Sequence, residues 1–173
     1  SIAQLASGLG LVDHATEALA ASGLAAERLE LEFTESIFLA GDSTTRATLD
    51  QLRALGVRLV LDDFGMGYSS YNCLVNGAFS KIKIDRGFTA AAVRPGPTPE
   101  LAIVKSILTL ARGLGIEVTA EGIETAEQAA LMVALGCGQL QGFLFGRPMA
   151  PASATSNQGE PASLPAHRRP KAA

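Results

Sequence analysis

Carboxylates follow short apolar stretches at a repeated spacing in this chain of 173 residues. In "LGVRLVLDD" the first of two adjacent aspartates, Asp62 and Asp63, stands six residues after Gly56. In "LGIEVTAEG" Glu121 stands six residues after Gly115. Such a glycine is typical of a helix end, and the apolar stretch that follows is typical of a strand. The shared spacing predicts that these carboxylates lie at one height, at the C-terminal ends of successive strands.

Other polar residues occupy similar places. Glu32 lies in "LELEF", Lys83 lies in "KIKI", and Gln141 stands five residues after Gly136. Taken singly, Glu32 fits a solvated strand face, the aspartate pair fits a turn, and Lys83 fits a surface lysine. Their common register favours one shared site instead. The full set of candidates is Glu32, Glu35, Asp62, Asp63, Lys83, Asp85, Glu121, Glu124 and Gln141.

Carboxylates gathered at one sheet edge would repel one another unless cations were bound between them. Oxygen ligands without histidine or thiolate suit Mg²⁺ or Mn²⁺, and two such ions are the usual apparatus for cleaving phosphate esters. Lys83 is then placed to orient a water molecule or to neutralise a phosphoryl oxygen, and Gln141 to hold a water molecule or a base. Two neighbours receive no such role: Glu30 is predicted to be exposed, and Lys81 is interpreted as an ordinary lysine at a strand start.

Helices and strands alternate through residues 10–150. Helices are predicted near Val12–Ala21, from Ser43 or Thr44 to Gly56, at Ser69–Leu74, from Pro99 to Gly115 with Thr98 as N-cap, and from the capping box of Thr125 and Gln128 to Gly136. Strands are predicted at Leu29–Phe33, Val57–Leu61, Lys81–Ile84, Ile116–Ala120 and Gln139–Phe143. This alternation indicates an α/β fold with a parallel sheet. About five strands are present where a closed (β/α)8 barrel needs eight, so the sheet is either open or an incomplete barrel.

The composition narrows the classes of function. The formal net charge is −3 and no long basic stretch precedes the C-terminus, which argues against DNA or an anionic lipid surface as a partner. No apolar run reaches the length of a membrane span, and Cys73 and Cys137 fit no metal or redox spacing, so the cytoplasm is the predicted compartment. Residues 151–173 are rich in Pro, Ala and Ser and are predicted to be disordered, ending in a basic cluster of unassigned role.

Five segments resemble the motifs of the EAL domain family in their order and spacing. They are "ELEFTES" (Glu30–Ser36), "LDDFGMGYSS" (Leu61–Ser70), "KIDRGF" (Lys83–Phe88), "AEGIET" (Ala120–Thr125) and "QGFLFGRP" (Gln141–Pro148). The resemblance marks residues 1–150 as a partial EAL domain. That family comprises bacterial cyclic di-GMP phosphodiesterases of signal transduction and biofilm control. It implies a TIM-like (β/α)8 barrel with two Mg²⁺ or Mn²⁺ ions, which hydrolyses cyclic di-GMP to linear pGpG.

The resemblance also implies a role for each residue of the catalytic centre. Glu32 resembles a ligand of the first ion, Asp62 the ligand that bridges both ions, and Asp63 a ligand of the second ion. Glu121 resembles a second-ion ligand or the carboxylate that activates water. Lys83 resembles the lysine near the attacking water.

Supporting roles follow from the same motifs. Glu35 resembles the glutamate that braces the loop after the aspartate pair, a loop ("GMGYSS") whose glycines favour a mobile lid. Gln141 resembles the glutamine of the last strand, and Glu124 stands where the family has a supporting carboxylate. Asp85 is a further supporting candidate.

The resemblance is incomplete towards the N-terminus. The Glu-x-Leu signature is absent, and the metal-binding asparagine of the family would fall immediately before Ser1. We therefore expect about five of eight βα units, with the first three strands and two ligands of the first ion, a Glu and an Asn, missing. An open barrel of this kind is expected to expose two long edges and an apolar interior. We hypothesise that this chain alone is inactive or nearly so.

Three interpretations stay open. The first is a phosphodiesterase whose other strands the native gene supplies, with fused sensory or GGDEF domains and a homodimer among its partners. The second is a degenerate EAL module that binds cyclic di-GMP or a protein without catalysis, which the incomplete metal site supports. The third is a truncated product without independent function. The intact catalytic positions within the chain favour the first.

Overall fold

Helices and strands alternate along the chain, as the sequence predicts. The computed structural model describes residues 10–35, 43–65, 74 and 79–148. The helices are α1 (Leu11–Ser22), α2 (Ser43–Ala54), α3 (Arg86–Ala92), α4 (Pro99–Leu114) and α5 (Ala126–Ala134), with a 3₁₀ turn at Ala26–Arg28. The strands are β1 (Glu30–Thr34), β2 (Arg58–Phe64), β3 (Lys81–Ile84), β4 (Glu117–Ala120) and β5 (Gln139–Leu140).

The five strands form one parallel sheet in the order in which they occur along the chain. This confirms the predicted α/β class with a parallel sheet. Within the described residues β1 and β5 each pair with a single neighbour, so the sheet has two edges. Because β5 has only two residues, that edge is short, and the prediction of two long edges is wrong at β5.

The sheet has an apolar face and a polar face, because side chains alternate along each strand. The polar face carries charged residues such as Lys81 and Lys83, which pair with carboxylates of other strands. The prediction of an apolar interior is therefore wrong for most of this face, since the apolar side chains of the strands other than Val60 pack in the helix-covered core instead. Strand residues in that core are Phe33, Leu59, Leu61, Phe64, Ile82, Ile84, Val118 and Ala120.

The helix ends follow the predicted signals. The Thr98 hydroxyl accepts a hydrogen bond from the Leu101 N–H at 3.1 Å, with Pro99 in the first position of α4. Thr125 and Gln128 form the predicted capping box at the start of α5. The apolar face of α4 is buried against the sheet and consists of Val104, Ile107, Leu108 and Ala111.

Helix α3 has no counterpart among the helices predicted from the sequence. Its seven residues include Gly87 and show no apolar repeat, so periodicity gave no signal. The available signal was Asp85, whose Oδ1 accepts a hydrogen bond from the Gly87 N–H at 2.7 Å and caps the helix. At the other end of the sheet, β5 stops at Leu140, so Gln141 follows the strand instead of lying within it.

Two predicted segments lie largely or wholly outside the described residues. The helix at Ser69–Leu74 lies outside the described residues except for Leu74, and the tail at 151–173 lies wholly outside them. Among the described helices, none combines the length and the apolar character needed to cross a membrane.

Candidate metal centre

The aspartate pair stands in an irregular part of β2. The pairing of β2 with β3 shifts register between Leu61 and Phe64. Asp63 has a φ of 53°, in the left-handed region that residues other than glycine rarely adopt. In a regular strand Asp62 and Asp63 would point to opposite faces of the sheet. The irregularity accounts for their convergence on one side.

Glu121 joins the aspartates at the same end of the sheet, two strands away. It follows β4 directly, and its backbone N–H donates to the Ile84 carbonyl at 3.1 Å. Ligand oxygens of Asp62, Asp63 and Glu121 all lie within 4.8 Å of one another. The shared spacing after Gly56 and Gly115 therefore does correspond to carboxylates that meet at one end of the sheet.

Lys83 lies at the centre of this group. Its Nζ is 2.7 Å from Glu121 Oε1, 2.9 Å from Glu32 Oε1 and 3.3 Å from Asp62 Oδ1. Only 7% of the lysine side chain is exposed, whereas 49% of the Glu32 side chain is exposed. We call Glu32, Asp62, Asp63 and Glu121 the acidic cluster, with Lys83 as its central cation.

The cluster changes the acidity of two of these residues. Burial of the amine lowers the Lys83 pKa, but hydrogen bonds to Glu121 and Glu32, together with the charges of Glu121 and Asp62, outweigh it, so the pKa lies above its ordinary value. The pKa of Asp63 is also raised, first by burial and then by the charges of Asp62 and Asp85. Lys83 is thus firmly cationic, while the negative charge of Asp63 is disfavoured.

The donor set fits a hard divalent cation. Asp62, Asp63 and Glu121 offer only carboxylate oxygens, the ligands that Mg²⁺ and Mn²⁺ prefer. The four carboxylates of the cluster face the single ammonium of Lys83, so negative charge remains in excess. A bound divalent cation would remove that excess.

The remaining candidates lie around the cluster. Glu35 is buried at the end of β1, but the loop that it is predicted to brace lies mostly at residues 66–73, outside the described residues. Asp85 caps α3 and lies close enough to raise the pKa of Asp63. Glu124 and Gln141 have exposed side chains, and neither belongs to the group of converging carboxylates. Their supporting roles stay predictions.

A second set of charges was missed by the sequence analysis. Glu30, Arg58, Lys81 and Glu117 are the first residues of β1 to β4, and we call them the charge belt. Lys81 Nζ lies 2.7 Å from Glu30 Oε1, and an Arg58 guanidinium nitrogen lies 2.6 Å from Glu117 Oε2. Glu30 is half-buried and Lys81 is 6% exposed, so the predicted exposure of Glu30 is wrong. The missed signal was that Glu30 and Glu32, two residues apart, share a face.

Comparison with known proteins places the chain in a family. A family model for the EAL domain matches residues 1–148. The chain belongs to the EAL domain family. Over 140 residues this EAL domain is 43% identical to MucR of Pseudomonas aeruginosa, a bifunctional diguanylate cyclase and cyclic di-GMP phosphodiesterase. That match covers 81% of this chain but 20% of MucR, so the chain spans about a fifth of this multidomain relative.

Solved structures of the family share the fold. The PaMucR phosphodiesterase in complex with c-di-GMP matches with a TM-score of 0.81 at 41% identity, covering 89% of this chain and 61% of that one. Klebsiella pneumoniae BlrP1 in a manganese and c-di-GMP complex matches with a TM-score of 0.69 at 37% identity, covering 79% of this chain and 34% of that one. EAL domains have a TIM-barrel fold, so the five-stranded sheet corresponds to part of a (β/α)8 barrel, as the sequence predicts.

Proposed function

We propose that this chain carries the catalytic strand ends of a cyclic di-GMP phosphodiesterase that yields linear pGpG. The observation that carries the proposal is the convergence of Asp62, Asp63 and Glu121 around Lys83, in a chain of the EAL family. A relative that is a cyclic di-GMP phosphodiesterase and a similar structure in complex with c-di-GMP support the choice of substrate.

The proposed cofactor is a pair of Mg²⁺ or Mn²⁺ ions. Asp62, Asp63 and Glu121 would hold one ion, and Glu32 with Asp62 would contribute to the other. Bound ions of this kind polarise a phosphoryl oxygen and supply a nucleophilic water at neutral pH. The manganese complex of BlrP1 supports this choice of metal.

The side chains of the chain itself supply charge and proton transfer. Glu121 lies half-buried beside an ammonium. We assign to it the role of accepting the proton of the attacking water. Lys83 keeps its proton, so it places a fixed positive charge where the phosphoryl oxygens would lie. Burial of both groups strengthens their electrostatic effect relative to that in bulk water.

Turnover by this chain alone is expected to be slow or absent. The resemblance implies a Glu and an Asn at the first ion that have no counterpart among the 173 residues, so the first ion would be weakly held. Binding of cyclic di-GMP without hydrolysis is the second candidate function, and the c-di-GMP complex of the similar PaMucR structure supports it. We propose that this activity lies in the cytoplasm, within a multidomain protein that forms a homodimer.

The test is Mn²⁺ and cyclic di-GMP binding by isothermal titration calorimetry, with pGpG measured by chromatography. We expect the unaltered chain to bind Mn²⁺ and then cyclic di-GMP, and Asp62→Asn and Glu121→Gln to weaken Mn²⁺ binding at least tenfold. Each variant removes one carboxylate from the converging set, and loss of a ligand weakens a divalent site strongly.

Asp50→Asn is the matched control, because Asp50 is an exposed carboxylate of α2 paired only with Arg53 among the described residues. It should bind Mn²⁺ as the unaltered chain does. Equal binding by Asp62→Asn and Asp50→Asn would contradict the metal site. Binding without pGpG would select the second candidate function for the isolated chain.

A further inference from the structure

The ammonium of Lys83 holds three carboxylates from three different strand regions. They are Glu32 of β1, Asp62 of β2 and Glu121 after β4, at 2.9, 3.3 and 2.7 Å from Nζ. A lysine ammonium has three N–H donors, so each donor has a carboxylate within reach. The side chain is 7% exposed, so water contributes little to its solvation.

Two of these three carboxylates belong to the converging set. Asp62 and Glu121 contact Lys83 and also form the ligand group with Asp63. A divalent cation held by that group would therefore share two of its ligand carboxylates with the ammonium. Two cations drawn to the same oxygens repel each other, more strongly where burial lowers the local dielectric constant.

We propose that Lys83 is a built-in counter-ion that holds the acidic cluster together before divalent cations bind and that lowers the affinity with which they bind. This inference rests on the proposed metal site. Without a bound divalent cation, the ammonium neutralises part of the charge of Asp62 and Glu121 and keeps them close. A bound divalent cation has to weaken those same contacts.

The charge belt provides a matched comparison within the same strand. Lys81 stands two residues before Lys83, is equally buried at 6% exposure, and contacts Glu30 at 2.7 Å. Its partners are Glu30 and, at 4.0 Å, Glu117, neither of which belongs to the converging set. Loss of the Lys81 charge should lower the stability of the fold without changing the charge next to the carboxylates of Asp62, Asp63 and Glu121.

The test compares Lys83→Met with Lys81→Met, since methionine keeps much of the side-chain length without the charge. Mn²⁺ alone is the probe, titrated by calorimetry, and thermal unfolding is followed with EDTA and with saturating Mn²⁺. We expect Lys83→Met to bind Mn²⁺ about tenfold more tightly than the unaltered chain, because a neighbouring positive charge is removed. In EDTA the Lys83→Met variant should melt at a lower temperature than the unaltered chain. Saturating Mn²⁺ should raise its melting temperature by more than it raises that of the unaltered chain.

Lys81→Met should bind Mn²⁺ with unchanged affinity, even if it also melts earlier. Equal or weaker Mn²⁺ binding by a folded Lys83→Met variant would overturn the inference and leave the metal site standing. Failure of the unaltered chain to bind Mn²⁺ would instead overturn the metal site, and the inference with it.

A second measurement on the unaltered chain covers the case in which Lys83→Met does not fold. The ammonium of Lys83 can be observed by ¹⁵N NMR as a slowly exchanging signal, because it is buried and held by carboxylates. Addition of Mg²⁺ should shift that signal and speed its exchange with water, while the Lys81 signal stays in place. An unchanged Lys83 signal at saturating Mg²⁺ would overturn the inference.

Discussion

Asp63 is held in a conformation and a charge state that both cost free energy. Its φ of 53° is disfavoured for a side chain with a Cβ, although aspartate and asparagine tolerate it better than most residues. Its pKa is raised by burial and by the neighbouring carboxylates Asp62 and Asp85. Such costs collect at functional sites, where the surrounding structure enforces them.

Substitution of Asp63 by asparagine should therefore stabilise the metal-free chain at neutral pH. A pKa raised in the folded state means that the folded chain binds this proton more tightly than the unfolded chain does. The stability that Asp63 contributes is present below the unfolded pKa of about 4 and is lost as the pH rises through the folded pKa. Asp63→Asn removes that loss, so the variant should have a higher free energy of unfolding than the unaltered chain. Urea unfolding in the presence of EDTA should show the largest difference at pH 7 and a smaller one towards pH 4.

Comparison of Asp63→Ala with Asp63→Asn isolates the effect of backbone conformation from the effect of charge. Asp63→Ala also removes the charge, but alanine lacks the tolerance of asparagine for positive φ and should be about 1 kcal/mol less stable than Asp63→Asn. Equal stability of Asp63→Asn and the unaltered chain from pH 4 to pH 7 would show that the charge of Asp63 carries no cost.

At the scale of elements, the end of β5 depends on a close backbone approach. Ile123 donates to the Gln141 carbonyl and accepts from the Leu144 N–H, both at 3.0 Å. A Cβ on Gly142 would overlap the backbone N, C and O of Ile123. The segment that carries Gln141 therefore docks after β4 only because residue 142 is glycine.

Gly142→Ala should lower the free energy of unfolding by more than about 2 kcal/mol, since the clash is with backbone that cannot rotate away. Gly138→Ala is the control from the same end of the chain. The nearest atom to its new Cβ would be the Val118 carbonyl oxygen at 3.9 Å, an ordinary contact, so the change should stay small. Urea unfolding followed by circular dichroism measures both, and similar losses would contradict the proposed close approach.

Elements with a strong local signal were predictable from sequence, and those without one were not. Helix α4 has a cap, an N-terminal proline and an apolar stripe, and the structure has it where these signals predict. Helix α3 has only the cap of Asp85, a carboxylate that also fits the candidate site. The acidic cluster was predictable because Asp62 and Glu121 repeat one spacing after a helix end. The charge belt was not, because alternation places Glu30 and Lys81 on the face of Glu32 and Lys83 but does not say which charges pair.

At the scale of the whole molecule, the charge belt ties together strands that are not neighbours. Glu30 of β1 pairs with Lys81 of β3, and Arg58 of β2 pairs with Glu117 of β4. The pairs differ in burial: the Lys81 side chain is 8% exposed, whereas those of Arg58 and Glu117 are 28% and 49% exposed. The buried member of a pair sets the cost of breaking it.

Glu30→Met should consequently destabilise the chain more than Lys81→Met does. The first substitution leaves a buried ammonium with a weakened partner, whereas the second leaves a carboxylate that water can still reach. The measurement is urea unfolding at pH 7 of both variants and of the double variant, which should be more stable than Glu30→Met alone. A larger loss for Lys81→Met would contradict this order.

Each of these two ion pairs of the charge belt joins strands that are separated by one other strand. This arrangement limits how EAL-type barrels can exchange βα units by recombination during evolution. A recombination point between β2 and β3 would separate Glu30 from Lys81 and Arg58 from Glu117 in a single step. A chimera joined there would keep its charges matched only if both parents carried the same signs at those four positions. Exchange of βα units between relatives should therefore succeed most readily where parental sequences agree at the first residue of each strand, wherever the catalytic residues lie.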